Sequence, residues 1–372
     1  MLDFTSALYL GLRHPSRSLR PWASLATGRP ALLEASPDGT LAAELARLMG
    51  CESALLLPST LHLFWDLCGM LAEERIAIHV DEGAYAIPQW GVERAAACGV
   101  PVRRFRHHCP AALSASVRSD AARGLRPVVV TDGFCPGCGR LAPLPGYLEI
   151  LRQRDGLLVL DDTQALGILG HSPSPAAPYG REGGGCLRHF GIEGADILSG
   201  SSLAKGFGVP VAVLGGSAAR IDRFKQRSAT RSHCSPPSMA VIRAAEHALD
   251  VNAAHGDALR LALSRRVAGF RSGLGRHGLA TRGGLFPVQM LEAVYGSPAI
   301  EMQRNLTRAG VRALPLRGHL NGAVGFLFTA RHRPEQIDRA VERLAASLRG
   351  TSALSAIFSF PKESRHEQPV HV

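Results

Sequence analysis

Ala195-Asp-Ile-Leu-Ser-Gly-Ser-Ser-Leu-Ala-Lys-Gly-Phe-Gly208 sets a short apolar strand signal against a run of small residues that holds one lysine. The strand reads over 196–199, and the Gly/Ser/Ala run follows it. Small side chains let a flat ligand come close to the backbone. The hydroxyls of Ser201 and Ser202 suit a phosphate. The chain has only three lysines, Lys205, Lys225 and Lys362, and Lys205 is the one in an apolar setting. A lysine that is partly desolvated loses its proton near neutral pH, as a Schiff-base nucleophile must. The plain alternative is a surface lysine in a glycine-rich loop, and the run alone does not choose between them.

Two other stretches close predicted strands in the same way. Leu158-Val-Leu-Asp-Asp-Thr-Gln-Ala-Leu-Gly167 ends an apolar run on two adjacent carboxylates. A carboxylate there can hold a protonated pyridine nitrogen and so keep a ring an electron sink. It can equally hold a metal, or cap a helix starting at Thr163. Leu57-Pro-Ser-Thr-Leu61 leads from a strand into a helix, where backbone N–H groups and hydroxyls bind phosphate; its plain reading is an N-cap. Open α/β sheets place their ligands at the carboxyl ends of strands. A phosphate loop, then an acidic strand end, then a lysine 44 residues after Asp161 is the order of fold-type-I pyridoxal-phosphate (PLP) enzymes.

The surrounding pattern fits a mostly parallel α/β sheet. Strands read over 54–57, 75–80, 102–105, 128–131, 157–161, 196–199 and 211–215, and helices over 41–49, 92–98 and 144–154. Such strands are continuous apolar runs because helices cover both faces. From Pro236 a long helix reads from Met239 to about Phe270, with Gly273 as its stop. Beyond it lies a smaller α/β unit: strands over 286–290 and 322–329, helices over 300–309 and 334–348. The domain organisation expected is an N-terminal segment, 1–40, packing on the small domain; a large ligand-binding domain, 41–240; a small C-terminal domain, 241–360; and a disordered tail, 361–372.

The formal charge of +11 invites a nucleic-acid reading, but the basic residues are scattered, with no run of five and no nucleic-acid motif. No apolar run is long enough for a membrane span. The N-terminus lacks a signal-peptide pattern, so a cytoplasmic protein with reduced cysteines is expected. Cys135 and Cys138 form a CxxC. Zinc needs a second ligand pair, and the sequence displays none, so no metal is assigned.

Taken together, the chain resembles the α-oxoamine synthase family of PLP enzymes over nearly its whole length. The segments that carry the resemblance are Leu2 to Leu12, Gly50 to Leu56, Val130-Thr-Asp-Gly133, Leu141-Ala-Pro-Leu144, Asp161 to Gly170, Ser202-Leu-Ala-Lys-Gly-Phe-Gly208 and Arg231 to Pro237. It implies a large domain with a smaller C-terminal one, PLP on Lys205, and Asp161 at the pyridine nitrogen. It implies that Gln164 meets the ring oxygen where the family has histidine, and that Tyr85 stacks on the ring face. Ser59, Thr60, Leu61 and Ser202 fall at phosphate positions, and Asp132 lies in the cofactor site. His233 falls where a neighbouring subunit reaches the phosphate, which implies a homodimer with shared active sites.

The implied reaction joins an amino acid or amine to a second small substrate by carbon–carbon bond formation, with Lys205 as general base. Transamination, β/γ-elimination or replacement, and retro-aldol cleavage are the alternatives, then a non-catalytic partner subunit. Two positions depart from the family. The asparagine and arginine that hold the substrate carboxylate are Ala7 and Ala323 here. Arg317, His319 and Asn321 are the candidate replacements, with a solvated loop as their plain reading. The family's N-terminal arm, which helps bind acyl-CoA, has no counterpart, which leaves acyl-CoA use open.

Overall fold

A computed structural model describes residues 1–33, 39–291, 297–316 and 323–349. Its first half alternates strand and helix. In order come β1 (Leu2–Asp3), α1 (Gly39–Met49), β2 (Ser53–Leu57), α2 (Thr60–Leu71), β3 (Ile76–Asp81), α3 (Ala86–Ala97), β4 (Val102–Phe105), α4 (Pro110–Ala121) and β5 (Arg126–Asp132). A small hairpin, β6 (Phe134–Cys135) and β7 (Arg140–Leu141), precedes α5 (Leu144–Arg152), β8 (Leu157–Asp161), α6 (Cys186–Phe190), β9 (Ile197–Ser202) and β10 (Ala212–Gly216). Then follow α7 (Ala218–Arg227), α8 (Ala229–His233) and the 37-residue α9 (Met239–Gly275). The chain continues with β11 (Thr281–Arg282), β12 (Val288–Leu291), α10 (Ser297–Arg308), β13 (Val311–Arg312), β14 (Leu314–Leu316), β15 (Ala323–Leu327) and α11 (Pro334–Arg349).

The main sheet has seven strands in the order β2-β10-β9-β8-β5-β3-β4. Only β10 runs against its neighbours, so the mostly parallel reading holds. The sheet separates two apolar layers, as the unbroken apolar strands require. Leu158 and Leu160 of β8 join a core with α1, α5 and α9. Leu157 and Val159 join one with α2, α3 and α7. A second sheet, β11-β12-β15-β14, is built from the C-terminal part of the chain, and β1 pairs in parallel with β13.

The parallel strands present their carboxyl ends along one edge. Registers are direct: Asp132 lies opposite Asp161, Asp161 opposite Gly200, and Ala212 opposite both Ser202 and Leu57. The loops after β2 and β9 therefore emerge two strand spacings apart, about 10 Å.

Among the elements that differ from their sequence reading, α3, α4, β9 and α9 have a plain physical reason. Helix α3 starts at Ala86, not Val92, through Pro88 and Gly91. Pro88 sits in the first turn, where its missing N–H costs nothing. Gly91 permits close packing, since a Cβ there would meet the Phe64 carbonyl oxygen at 2.4 Å. Helix α4 went unread because its Ala/Ser-rich sequence shows little apolar face beyond buried Leu113 and Val117. Strand β9 continues three residues past Ser199, with Ser199 and Ser201 buried in the sheet. Helix α9 runs through Gly273, whose Cβ would meet Val341 of α11 at 3.0 Å. That glycine serves helix contact, not termination.

Candidate active site

Lys205 follows β9 in a loop fixed by its own backbone. Phe207 and Val209 both donate to the Leu203 carbonyl, at 3.1 and 3.2 Å. Gly206 lies on the Leu166–Gly167 turn, where a Cβ would come within 2.4 Å of the Leu166 carbonyl oxygen. The loop can therefore take no side chain at 206. Burial pushes the Lys205 ammonium below its ordinary value, opposed by the carboxylates of Asp161 and Asp132. The amine is thus nearer to neutral than an exposed lysine, as covalent chemistry at Nζ requires.

Asp161 ends β8 and is 7% exposed. Burial raises it above the carboxylate range, while the N–H of Thr163, at 3.0 Å, and the nearby Lys205 draw it back. Asp132, beside it at the end of β5, is also raised, first by burial and then by the Asp161 charge. Its two oxygens each accept from the Tyr85 backbone N–H at 3.1 Å. Two carboxyl groups sharing one dry site cannot both ionise cheaply, so the pair favours a cation placed against it.

The neighbouring Asp162 turns away from this pair. Its Oδ2 accepts from the Cys186 N–H at 2.8 Å, in a pocket walled by Gly133 and Gly185. Burial pushes it up to about 7. The adjacent acids that look alike in sequence thus have different surroundings.

At β2, Ser59 caps α2, accepting from the His62 N–H and lying 2.8 Å from His62 Nδ1. Thr60 and Leu61 occupy the first helical turn, and Leu61 is exposed. The Ser202 N–H donates to Thr163 Oγ1 at 3.0 Å, tying the ends of β9 and β8 together. Gln164 Oε1 accepts from the Tyr9 hydroxyl at 2.7 Å. Tyr85 stands at the N-terminus of α3 with its ring exposed.

The carboxyl edge thus gathers Ser59, Thr60, Ser202, Lys205, Asp161, Gln164, Asp132 and the Tyr85 backbone. His233 sits exposed at the end of α8, which Asp66 of α2 anchors through the Ser228 and Thr230 hydroxyls. Ala323 is buried at the start of β15, opposite Leu316. The Ala7 carbonyl accepts from the Tyr9 N–H at 2.8 Å. Arg317, His319 and Asn321 lie outside the described residues.

Tyr9 is the residue that pattern reading missed. Its ring is buried, its N–H reaches the Lys205 carbonyl at 3.2 Å, and its hydroxyl holds Gln164. Its only sequence signal is an aromatic in an apolar run.

The donor set fits PLP. A desolvated amine is present for the aldehyde, and a buried acid pair for a protonated ring nitrogen. A helix N-terminus with two hydroxyls is present for the phosphate.

No family model matches the chain. The chain is 30% identical over 318 residues to the 8-amino-7-oxononanoate synthase of Halorhodospira halophila, covering 83% of this chain and 74% of that one. It is 29% identical over 259 residues to the enzyme of that name from Thioalkalivibrio sulfidiphilus, and this match spans 63% of the relative's length, under two thirds. Among solved structures, a serine palmitoyltransferase from S. paucimobilis with bound PLP superposes at a TM-score of 0.80 and 16% identity, covering 93% of this chain and 87% of that one. The fold is that of the fold-type-I PLP enzymes, and the chain belongs to the α-oxoamine synthase family.

Proposed function

We propose that the protein is a PLP-dependent transferase that joins an amino acid or amine to an acyl-type second substrate through a new carbon–carbon bond. The observation that carries this reading is the desolvated Lys205 facing the Asp161–Asp132 pair on one sheet edge. PLP supplies an aldehyde for the amine and a ring that accepts the electrons of a broken bond at the α-carbon.

The protein's own groups do the rest. Asp161, in its dry site, holds the proton on the ring nitrogen. Lys205 would hold the cofactor and, with its Nζ free, would take the α-proton; burial moves its ammonium below its ordinary value, in the direction that task needs. Gln164, fixed by Tyr9, offers its amide N–H₂ to the ring oxygen. Ser59, Thr60, Leu61 and Ser202 bind the phosphate, and Tyr85 covers the ring face. His233 reaches the site of a second copy in a homodimer with shared sites, and the reaction runs in the cytoplasm.

Small methyl groups at Ala7 and Ala323 favour a substrate gripped differently from the family's. They also support a second reading, in which the same site transaminates. The test is the holoenzyme with a panel of amino acids in deuterated water, read by NMR for α-proton loss, with acyl thioesters added and free thiol measured. Lys205-dependent exchange coupled to thiol release is expected. Amino transfer to a keto acid without any condensation would overturn the leading reading.

A further inference from the structure

The CxxC lies on the turn between β6 and β7, at the carboxyl end of β5. Pattern reading found no second ligand pair because that pair is distant in sequence. It is His107-His108, at the carboxyl end of β4. Folding brings His107 Nε2 within 3.2 Å of Cys138 Sγ and His108 Nδ1 within 3.7 Å of it. One ligand atom each from His107, Cys135 and Cys138 lie within 4.8 Å of one another.

We propose that Cys135, Cys138, His107 and His108 bind a structural zinc ion that fastens the ends of β3, β4 and β5 beside the active site. Zinc takes thiolate sulfur at about 2.3 Å and imidazole nitrogen at about 2.0 Å in a tetrahedron, which sets ligand–ligand edges at about 3.5–3.8 Å. The two His–Cys138 separations already sit near those edges, and the His107, Cys135 and Cys138 ligand atoms reach the rest by drawing in about 1 Å, while His108 must also approach Cys135.

Four observations favour an ion over a chance meeting of side chains. Asp81 Oδ1 lies 2.5 Å from His107 Nδ1. A carboxylate can only accept, so Nδ1 carries a hydrogen, and Nε2 is the ring atom that faces the sulfur. That is the carboxylate–histidine arrangement that orients metal ligands. Asp81 is itself held by the N–H groups of Gly83 and His108 and by the Tyr147 hydroxyl. His108 adopts φ of +53°, an uncommon left-handed backbone conformation. Its Nδ1 faces Cys138 Sγ, its ring stacks on that of His107, and its Nε2 is buried without a hydrogen-bond partner among the described residues. Lastly, the Cys138 N–H is aimed at Cys135 Sγ at 3.4 Å, so the CxxC turn holds its two sulfurs together.

The consequence reaches the active site. Asp132 ends the strand that leads into the Cys135 hairpin, and Tyr85 follows the turn that Asp81 organises. The ion would set the spacing of these two loops without touching substrate.

The experiment is elemental analysis of the holoenzyme expressed in zinc-supplemented medium and dialysed, followed by cobalt titration after chelation. About one zinc per chain is expected, with cobalt giving a thiolate charge-transfer band and tetrahedral d–d absorption. Cys138→Ser and His107→Ala lose the zinc, while Cys98→Ser, at an exposed thiol elsewhere, keeps it. Chelation lowers the melting temperature by at least about 5 °C, because a tight ligand stabilises only the folded state. Should either ligand variant fail to fold, the cobalt titration of the unmutated chain decides. Zinc far below one per chain, a Cys135–Cys138 disulfide in the isolated protein, or full zinc in Cys138→Ser overturns the proposal.

Discussion

Residue type and strand position single out Lys205 and the acidic end of β8 as candidates in the sequence, and the structure brings Lys205 and Asp161 to one site. The site's other contacts are not legible in this way. Tyr9 reaches Gln164 across 155 residues, and the His107–Cys138 pair spans 31; no local period encodes either. Asp161 and Asp162 are indistinguishable in sequence, and only the glycine-walled pocket separates them. Asp161→Asn tests that division. It keeps the shape but removes the carboxylate proposed to hold the ring proton, so α-proton exchange should fall about 10²–10⁴-fold. Borohydride still traps the cofactor on Lys205, and unchanged exchange would count against the role.

A second residue-scale prediction concerns His79 of β3, buried with Nδ1 2.8 Å from Ser116 Oγ. Burial pushes it down to about 4, against the pull of Asp120. Between pH 6.5 and 4 the unfolded chain therefore binds a proton that the folded chain does not. The stability from neutral His79 is full above about 6.5 and is lost as pH falls toward 4, a change of up to about 3 kcal/mol. Urea unfolding from pH 7 to 4.5 should show this slope, and His79→Asn should flatten it.

Elements were legible where one physical cue dominated. The central strands β5 and β8 are legible from their apolar runs, 128–131 and 157–161, because both of their faces are buried. Glycine misled in both directions. At Gly91 and Gly273 it marks close helix approach, not a break, and the partner surfaces, Phe64 and Val341, are invisible in the local window. Ser-rich β9 read as loop past Ser199 because its hydroxyls are polar, though the sheet buries them.

The contrast within α9 makes an element-scale prediction. A Cβ at Gly269 meets nothing within 4 Å, whereas at Gly273 it presses on Val341. Gly269→Ala should raise the unfolding free energy by about 0.5–1 kcal/mol through helix propensity alone. Gly273→Ala should yield none of that gain, because α9 and α11 must separate to admit the methyl. Equal stabilisation by both substitutions, in thermal melts, would show that the two helices yield freely there.

At the scale of the whole molecule, the sheet edge collects the reactive groups, and α2 connects that edge to the surface. Leu61 and Trp65 stand one turn apart on α2 with 43% of each exposed, and Tyr85 and Trp90 are exposed on the adjoining α3. Scattered apolar side chains need no explanation, but two such pairs on packed helices mark a contact face. Asp66, on the same α2, anchors α8, which carries His233. A second copy covering α2 would thus bring its own α8 near the Ser59–Leu61 turn proposed to bind phosphate, as shared sites require. Sedimentation should find a dimer, and Trp90→Glu should shift it toward monomer by placing a charge in the contact. Activity per chain should fall with the dimer fraction, on dilution as in the variant. A monomer as active as the dimer would mean that each chain completes its own site, and His233 would then have no place in the chemistry.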